Sequence, residues 1–221
     1  MGEKITLTGS DGVKISAYVA RPAGTPKAGM VVIQEIFGVN SHIRNVTDFY
    51  ASQGYLAIAP ALFDRVEPGV EVGYEGADRQ KGMETKGKVD NAKAEIDVQA
   101  AIDYAKQAGK VGLVGYCWGG TLAFLSAWKL KGLNAAVGYY GSGIAAMCDQ
   151  KPSIPCMLHF GDKDQSIPLT DVEKIKAARP ELPIYVYSAG HGFNCDERGS
   201  YDKTAADLAR SRTLEFFTKN I

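Results

Sequence analysis

The sequence predicts an α/β protein, a doubly wound and mostly parallel sheet with helices on both faces. Two short apolar runs, residues 30–33 and 111–114, have the composition of central strands covered on both sides. Stretches at helical spacing alternate with such runs along most of the chain, which is the order of βαβ units. The apolar runs also end in glycine-bearing turns, where a parallel sheet places its ligand site.

The elements follow in order. Residues 4–8 and 13–20 alternate apolar and polar around Ser10-Asp11-Gly12, the pattern of an antiparallel hairpin with an Asp-Gly turn at one edge of the sheet. After a Pro/Gly-rich link comes the strand at 30–33, then Gln34-Glu35-Ile36-Phe37-Gly38, a helix over 42–53, and a strand over 55–59 closed by Pro60. Residues 61–88 are rich in glycine and charge without clear periodicity, which predicts an irregular lid-like insertion. Apolar positions recur at helical spacing over 89–108, and Gly109 stops that helix. A helix over 118–130, a strand over 135–140, a short element over 142–149, strands at 156–160 and 184–187 flanking a helix at 169–178, and an amphipathic helix over 201–218 complete a single domain, 1–221.

Composition narrows the function. With 45% hydrophobic residues the chain can bury a full core, and 25 basic residues balance 25 acidic ones, leaving no field to draw in nucleic acid or an anionic membrane. A small-molecule partner is the expectation, with no nucleic acid, no membrane and no required protein partner. The start of the chain has no apolar signal region, and Met1-Gly2 matches an acylation signal poorly, so a cytoplasmic location is expected. Cys117, Cys148, Cys156 and Cys195 show neither metal-ligand nor disulfide-scaffold spacing, which predicts reduced thiols, no metal and no cofactor.

The chemistry centres on Gly115-Tyr116-Cys117-Trp118-Gly119-Gly120, a buried strand running into a glycine-bounded turn and a helix. That is the layout of a nucleophile elbow with cysteine at its tip, and the helix's positive end favours thiolate, the reactive form. The competing reading is a buried, small, apolar cysteine. The strand at 156–160 leads into a polar loop holding Asp162 and Asp164, and the strand at 184–187 leads into Gly190-His191-Gly192-Phe193. A thiol, a carboxylate and an imidazole therefore reach one rim in the chain order nucleophile, acid, histidine that marks α/β hydrolases. Asp162 competes with Asp164 as the acid; Asp164 is preferred because it lies farther out on the loop, while Asp162 suits a turn cap. His42 and His159 read as packing or surface histidines. In this fold the oxyanion donors are the backbone amides of Trp118 and of a residue after the 30–33 strand, Ile36. Glu35 beside it is either a surface group or a carboxylate buried in the site. Phe37, Tyr116 and Phe193, chain neighbours of these groups, are expected to line the substrate site.

Glu35-Ile36-Phe37-Gly38-Val39-Asn40, the cysteine elbow, the Gly161–Pro168 loop and Gly190–Phe193 together resemble the dienelactone hydrolase (carboxymethylenebutenolidase) family over nearly the whole chain. The resemblance implies an α/β-hydrolase fold and hydrolysis of a carboxylate-bearing lactone through an acyl-thioester. It implies Cys117 as nucleophile, Asp164 as acid, His191 as base, Glu35 as the group that meets the resting thiol, and Arg79 as the substrate-carboxylate cation, against a solvated lid arginine as the alternative. The chain departs from the family in carrying Cys195 where an arginine is usual and Met83 where a lid tyrosine is usual, with Arg198 a candidate to supply the second cation. A broader carboxylesterase, or a non-catalytic thiol redox or binding protein on the same fold, are the rival readings.

Overall fold

The computed structural model describes residues 2–221; Met1, with its half of the weak acylation match, lies outside the described residues. The chain forms two compact units, one ending at Leu113 and one beginning at Val114.

The first unit holds β1 (Glu3–Thr8), β2 (Lys14–Ala20), β3 (Ala28–Ile33), α1 (Ser41–Ser52), β4 (Tyr55–Pro60), α2 (Gly76–Lys88) and α3 (Asn91–Ala105). Its strands lie in the order β1-β2-β4-β3. β1 and β2 form the expected antiparallel hairpin, with Leu7 opposite Ile15 and Gly12 at a left-handed φ of 81° in the turn. β3 and β4 run parallel, with α1 as the crossover between them. Every residue of β3 and β4 is buried, as a strand covered on both faces requires. α3 seats so closely on β3 that a Cβ at Gly29 would lie 2.5 Å from the Ala105 carbonyl oxygen. Side-chain caps start two of the helices: Asn40 accepts from the Ile43 amide at 3.3 Å and Asp90 from the Ala92 amide at 2.8 Å. Arg65 ties the hairpin turn to α3, donating to Asp11 and Asp97, each at 2.7 Å.

The stretch at 61–88 differs in part from the irregular insertion the sequence predicts. Residues 61–75 contain no helix or strand, but Gly76–Lys88 is α2. Only Gly82 and Thr85 of this helix are buried, so no apolar stripe exists for a periodicity reading to find. Contact selects the helix: a Cβ at Gly82 would lie 2.3 Å from the Ile36 carbonyl oxygen, so glycine lets α2 rest on the turn after β3.

The boundary between the units falls inside β5 (Val111–Tyr116). The second unit continues with α4 (Trp118–Lys129), β6 (Ala135–Tyr139), β7 (Cys156–Gly161), α5 (Leu169–Ala178), β8 (Ile184–Tyr187) and α6 (Lys203–Asn220). Residues 142–149 contain a single 3₁₀ turn, Ile144–Ala146. β6, β7 and β8 are consecutive and parallel, with Tyr139 opposite His159 and Gly161 opposite Tyr187, so their carboxyl ends finish at one rim. Beneath that rim His159 is fully buried, with Nδ1 2.8 Å from the Tyr187 hydroxyl and Nε2 3.0 Å from Thr213 Oγ1. Burial, helped by the Arg212 charge, pushes its pKa down to about 3, so His159 is a neutral packing histidine. Among the described residues no helix is long and apolar enough to cross a membrane.

Candidate active site

The site is built in the second unit from three chain segments. β5 ends at Tyr116, and Cys117 follows with φ 55° and ψ −118° as the cap residue of α4. Few non-glycine residues adopt that conformation, and here the surroundings enforce it. A Cβ at Gly115 would lie 1.9 Å from the Gly119 carbonyl oxygen, and one at Gly120 would lie 2.3 Å from the Tyr139 carbonyl oxygen. That same Tyr139 carbonyl accepts the Cys117 amide at 3.0 Å. Glycines on either side thus let the turn close sharply enough to lift the thiol off the end of the sheet. Trp118 opens α4, in the first turn, where amides look outside the helix for acceptors.

β7 and β8 bring the other two groups together. The loops after them touch so closely that a Cβ at Gly161 would lie 2.1 Å from the Ala189 carbonyl oxygen, while the Lys163 amide donates to that carbonyl at 3.0 Å. The result is a continuous chain of contacts: Asp164 Oδ2 lies 2.7 Å from His191 Nδ1, and His191 Nε2 lies 3.1 Å from Cys117 Sγ. The Asp164 side chain is 0% exposed, and its Oδ1 accepts the Ser166 and Ile167 amides at 2.8 and 3.2 Å. These bonds fix the carboxylate before it meets the ring. Asp162 is exposed, and its amide bonds the Tyr187 carbonyl at 2.8 Å, which leaves Asp164 as the acid that reaches the imidazole.

The His191 ring is 15% exposed. Its burial works against a positive charge, but the bonds to Asp164 and to Cys117, with their charges, outweigh that penalty and raise its pKa to about 10. The ring is therefore protonated at neutral pH, held between a carboxylate and a sulfur.

Tyr140, which no sequence pattern singles out, completes the setting. It has φ 39°, is 0% exposed, and its ring centroid lies 5.1 Å from that of His191. Its amide donates to the His159 carbonyl at 2.7 Å, which locks the turn after β6. Ser200 Oγ donates to the His191 carbonyl at 2.6 Å and holds the histidine loop from the other side. Strand periodicity carries no signal for either contact; a tyrosine just past the end of a central strand, next to the elbow's partner carbonyl, is the nearest thing to one.

The expected substrate-lining residues in this unit fare differently from one another. Phe193 is 0% exposed and packs on Tyr140 and Tyr187 at centroid distances of 5.4 and 5.2 Å, so it supports the site from within the core. Tyr116 is likewise buried, 4.8 Å from the Tyr139 ring. Arg198 is half-buried with its guanidinium over Gly192, where a Cβ would meet Nη1 at 2.5 Å, so a cation does stand beside the histidine loop. Cys195 is fully buried.

The remaining candidates belong to the first unit. Glu35 is 1% exposed, so it is not a surface group. Its carbonyl accepts from Gln34 Nε2 at 3.3 Å, and Gln34 Oε1 in turn accepts the Leu62 amide at 3.1 Å. Ile36 carries the carbonyl against which α2 rests, and Phe37 is buried edge-on to Tyr74 with centroids 4.6 Å apart. Arg79 is exposed on α2.

Comparison with known proteins gives the family. The model of the dienelactone hydrolase family matches residues 15–221. A carboxymethylenebutenolidase of Pseudomonas putida is 37% identical over 225 residues, covering 97% of this chain and 95% of its own. A solved structure from Klebsiella pneumoniae subsp. pneumoniae MGH 78578, assigned as a dienelactone hydrolase, superposes with a TM-score of 0.84 at 30% identity over 99% of both chains. A dienelactone hydrolase-like promiscuous phosphotriesterase from metagenomic libraries, at 19% identity and a TM-score of 0.80 over 99% of this chain and 98% of its own, shares the fold. With a mostly parallel α/β sheet, a strained cysteine elbow and relatives matching from end to end, the chain belongs to the dienelactone hydrolase family.

Proposed function

We propose that this hydrolase opens a carboxylate-bearing lactone of the dienelactone type with Cys117 as nucleophile, through an acyl-thioester. The observation that supports this most directly is the pair of contacts made by one imidazole, to Cys117 Sγ at 3.1 Å and to Asp164 at 2.7 Å. A positively charged His191 3.1 Å from the sulfur stands where it can hold the charge of the attacking thiolate.

The thiolate attacks the ring carbonyl, forming the C–S bond, and the displaced electron pair settles on the carbonyl oxygen near the Trp118 amide. Collapse breaks the ring C–O bond, and the departing enolate takes its proton from His191. Acylation also removes the charge on sulfur that helped hold that proton, so the neutral ring can accept one from water for deacylation. Hydroxide attack then breaks the C–S bond and the thiolate returns. Thiolate is itself a good leaving group, so an alkyl ester intermediate tends to revert before its alkoxide departs, whereas an enol ester leaves as a stabilised enolate. That chemistry favours a lactone of the dienelactone type for a cysteine enzyme. The family resemblance adds the Ile36 amide as second oxyanion donor, Glu35 as the group that meets the resting thiol, and Arg79 as the cation for the substrate carboxylate; Arg198, beside His191, supplies a further cation. A cytoplasmic setting suits four cysteines held as thiols.

The test is turnover of a dienelactone and of p-nitrophenyl acetate by wild type, Cys117→Ala and Arg79→Ala. Cys117→Ala is expected to lose on the order of 10⁴-fold or more with both substrates. Arg79→Ala is expected to raise KM for the dienelactone and leave the acetate ester unaffected. Full activity of Cys117→Ala overturns the cysteine mechanism, and equal effects of Arg79→Ala on both substrates favour a broader carboxylesterase.

A further inference from the structure

The first unit contains a cavity of about 330 Å³, near the lower end of the range for small-molecule sites. Part of its wall is apolar: Ala17 of β2, together with Val39 and Val70, all buried. Charge gathers on the rest. Arg44 of α1 and Lys4 of β1 both pair with Glu71, the second at 3.8 Å. Asp64, across the cavity lining, is fully engaged: Oδ2 accepts Ser16 N and Oγ at 2.7 and 2.5 Å, and Oδ1 accepts the Gly69 amide at 3.0 Å.

Donors and acceptors are therefore unequal. Among the described residues the side-chain hydrogen bonds of Arg44 all leave from Nη1, to Glu71 and to the Val39 carbonyl at 2.6 Å. Nε and Nη2 remain, as does the ammonium of Lys4, whose approach to Glu71 at 3.8 Å is longer than a hydrogen bond. A guanidinium edge and an ammonium in surplus, above an apolar wall, match an acceptor with two coplanar oxygens and a short apolar body.

We infer that this cavity binds a small carboxylate with a flat apolar body, its head on Arg44 and Lys4 and its body on Ala17, Val39 and Val70. None of these residues belongs to the catalytic set, and the inference does not rest on the reading of Cys117, Asp164 and His191.

The probe is benzoate, with benzamide as its uncharged counterpart, titrated by calorimetry and by the methyl NMR signals of Val39 and Val70. Wild type and Arg79→Ala are expected to bind benzoate alike, with both valines shifting, and benzamide at least tenfold more weakly. Arg44→Gln is expected to weaken benzoate at least tenfold. Ala61→Phe, which fills the cavity from another lining position and leaves both cations in place, is expected to abolish binding, and it decides the matter if Arg44→Gln does not fold. Valine signals that stay put, benzamide equal to benzoate, or benzoate binding that survives Ala61→Phe overturns the inference.

Discussion

Cys117 and Tyr140 both hold left-handed backbone conformations without being glycine, at φ 55° and φ 39°. Each such residue costs on the order of 1–3 kcal/mol, and it persists only where neighbours over-determine it. Here the two are linked: the Tyr139 carbonyl, one residue before Tyr140, takes the Cys117 amide, and the Tyr140 ring packs on His191. The strain therefore holds sulfur and imidazole in register. Within that register Asp164 supplies the charge that keeps His191 protonated. Asp164→Asn preserves the shape and the amide bonds to Oδ1 but removes the charge, so the His191 pKa should fall and Cys117 lose the positive charge beside its sulfur. Carboxamidomethylation of Cys117 by iodoacetamide at pH 7 should then slow by about tenfold or more, since one pKa unit is a factor of ten. An unchanged alkylation rate, in a variant whose melting curve shows it folded, would mean that Asp164 does not control the pair.

Among the helices, α2 is where the sequence was least readable, and its contacts say why. Its surface is polar nearly all round, so neither hydrophobic spacing nor a capping side chain marks it, and Gly82 looks like a helix breaker when it is the docking point. Gly82→Ala improves local helix propensity by roughly 1 kcal/mol. It also sets a Cβ 2.3 Å from the Ile36 carbonyl oxygen, which backbone cannot absorb without moving. The second effect should win, with faster amide exchange across residues 76–88 and a stability loss of about 1–3 kcal/mol; slower exchange there would show that α2 does not rest on the Ile36 turn. The elbow lies at the opposite extreme. Gly115, Cys117, Gly119 and Gly120 were legible because backbone closeness leaves a residue-level mark, and the acid and histidine loops followed from strand order. Tyr140 was not, because its contacts depend on where β6 ends relative to the loop after β8, a relation no local pattern records. Phe193 and Tyr116 were expected at the substrate, yet both belong to the buried aromatic cluster under the rim. Aromatic neighbours of a motif in sequence need not face the same way as the motif.

Over the molecule, two histidines set opposite slopes on stability. His191 has a pKa raised to about 10 from an unfolded value near 6.5, so its contribution is fully present below pH 6.5 and is lost as pH rises toward 10. His159 has a pKa lowered to about 3, so the unfolded chain takes up its proton first; stability is intact above pH 6.5 and falls as pH drops toward 3. Each proton bound differently by the two states contributes at most about 1.4 kcal/mol per pH unit. Together they place the stability maximum near pH 6.5, close to the sequence pI of about 6.8 by coincidence rather than cause. Urea unfolding followed from pH 4.5 to 8 should trace that dome, a range that avoids most carboxylates on one side and, on the other, tyrosine, lysine and the Cys156 thiol, which burial pushes up to about 12. His191→Gln should flatten the alkaline limb alone. His159→Gln, whose amide can still reach the Tyr187 and Thr213 hydroxyls, should flatten the acid limb alone. If both limbs persist in both variants, neither histidine is the origin of the slope, and the Asp164–His191–Cys117 contacts would not carry the charge assigned to them.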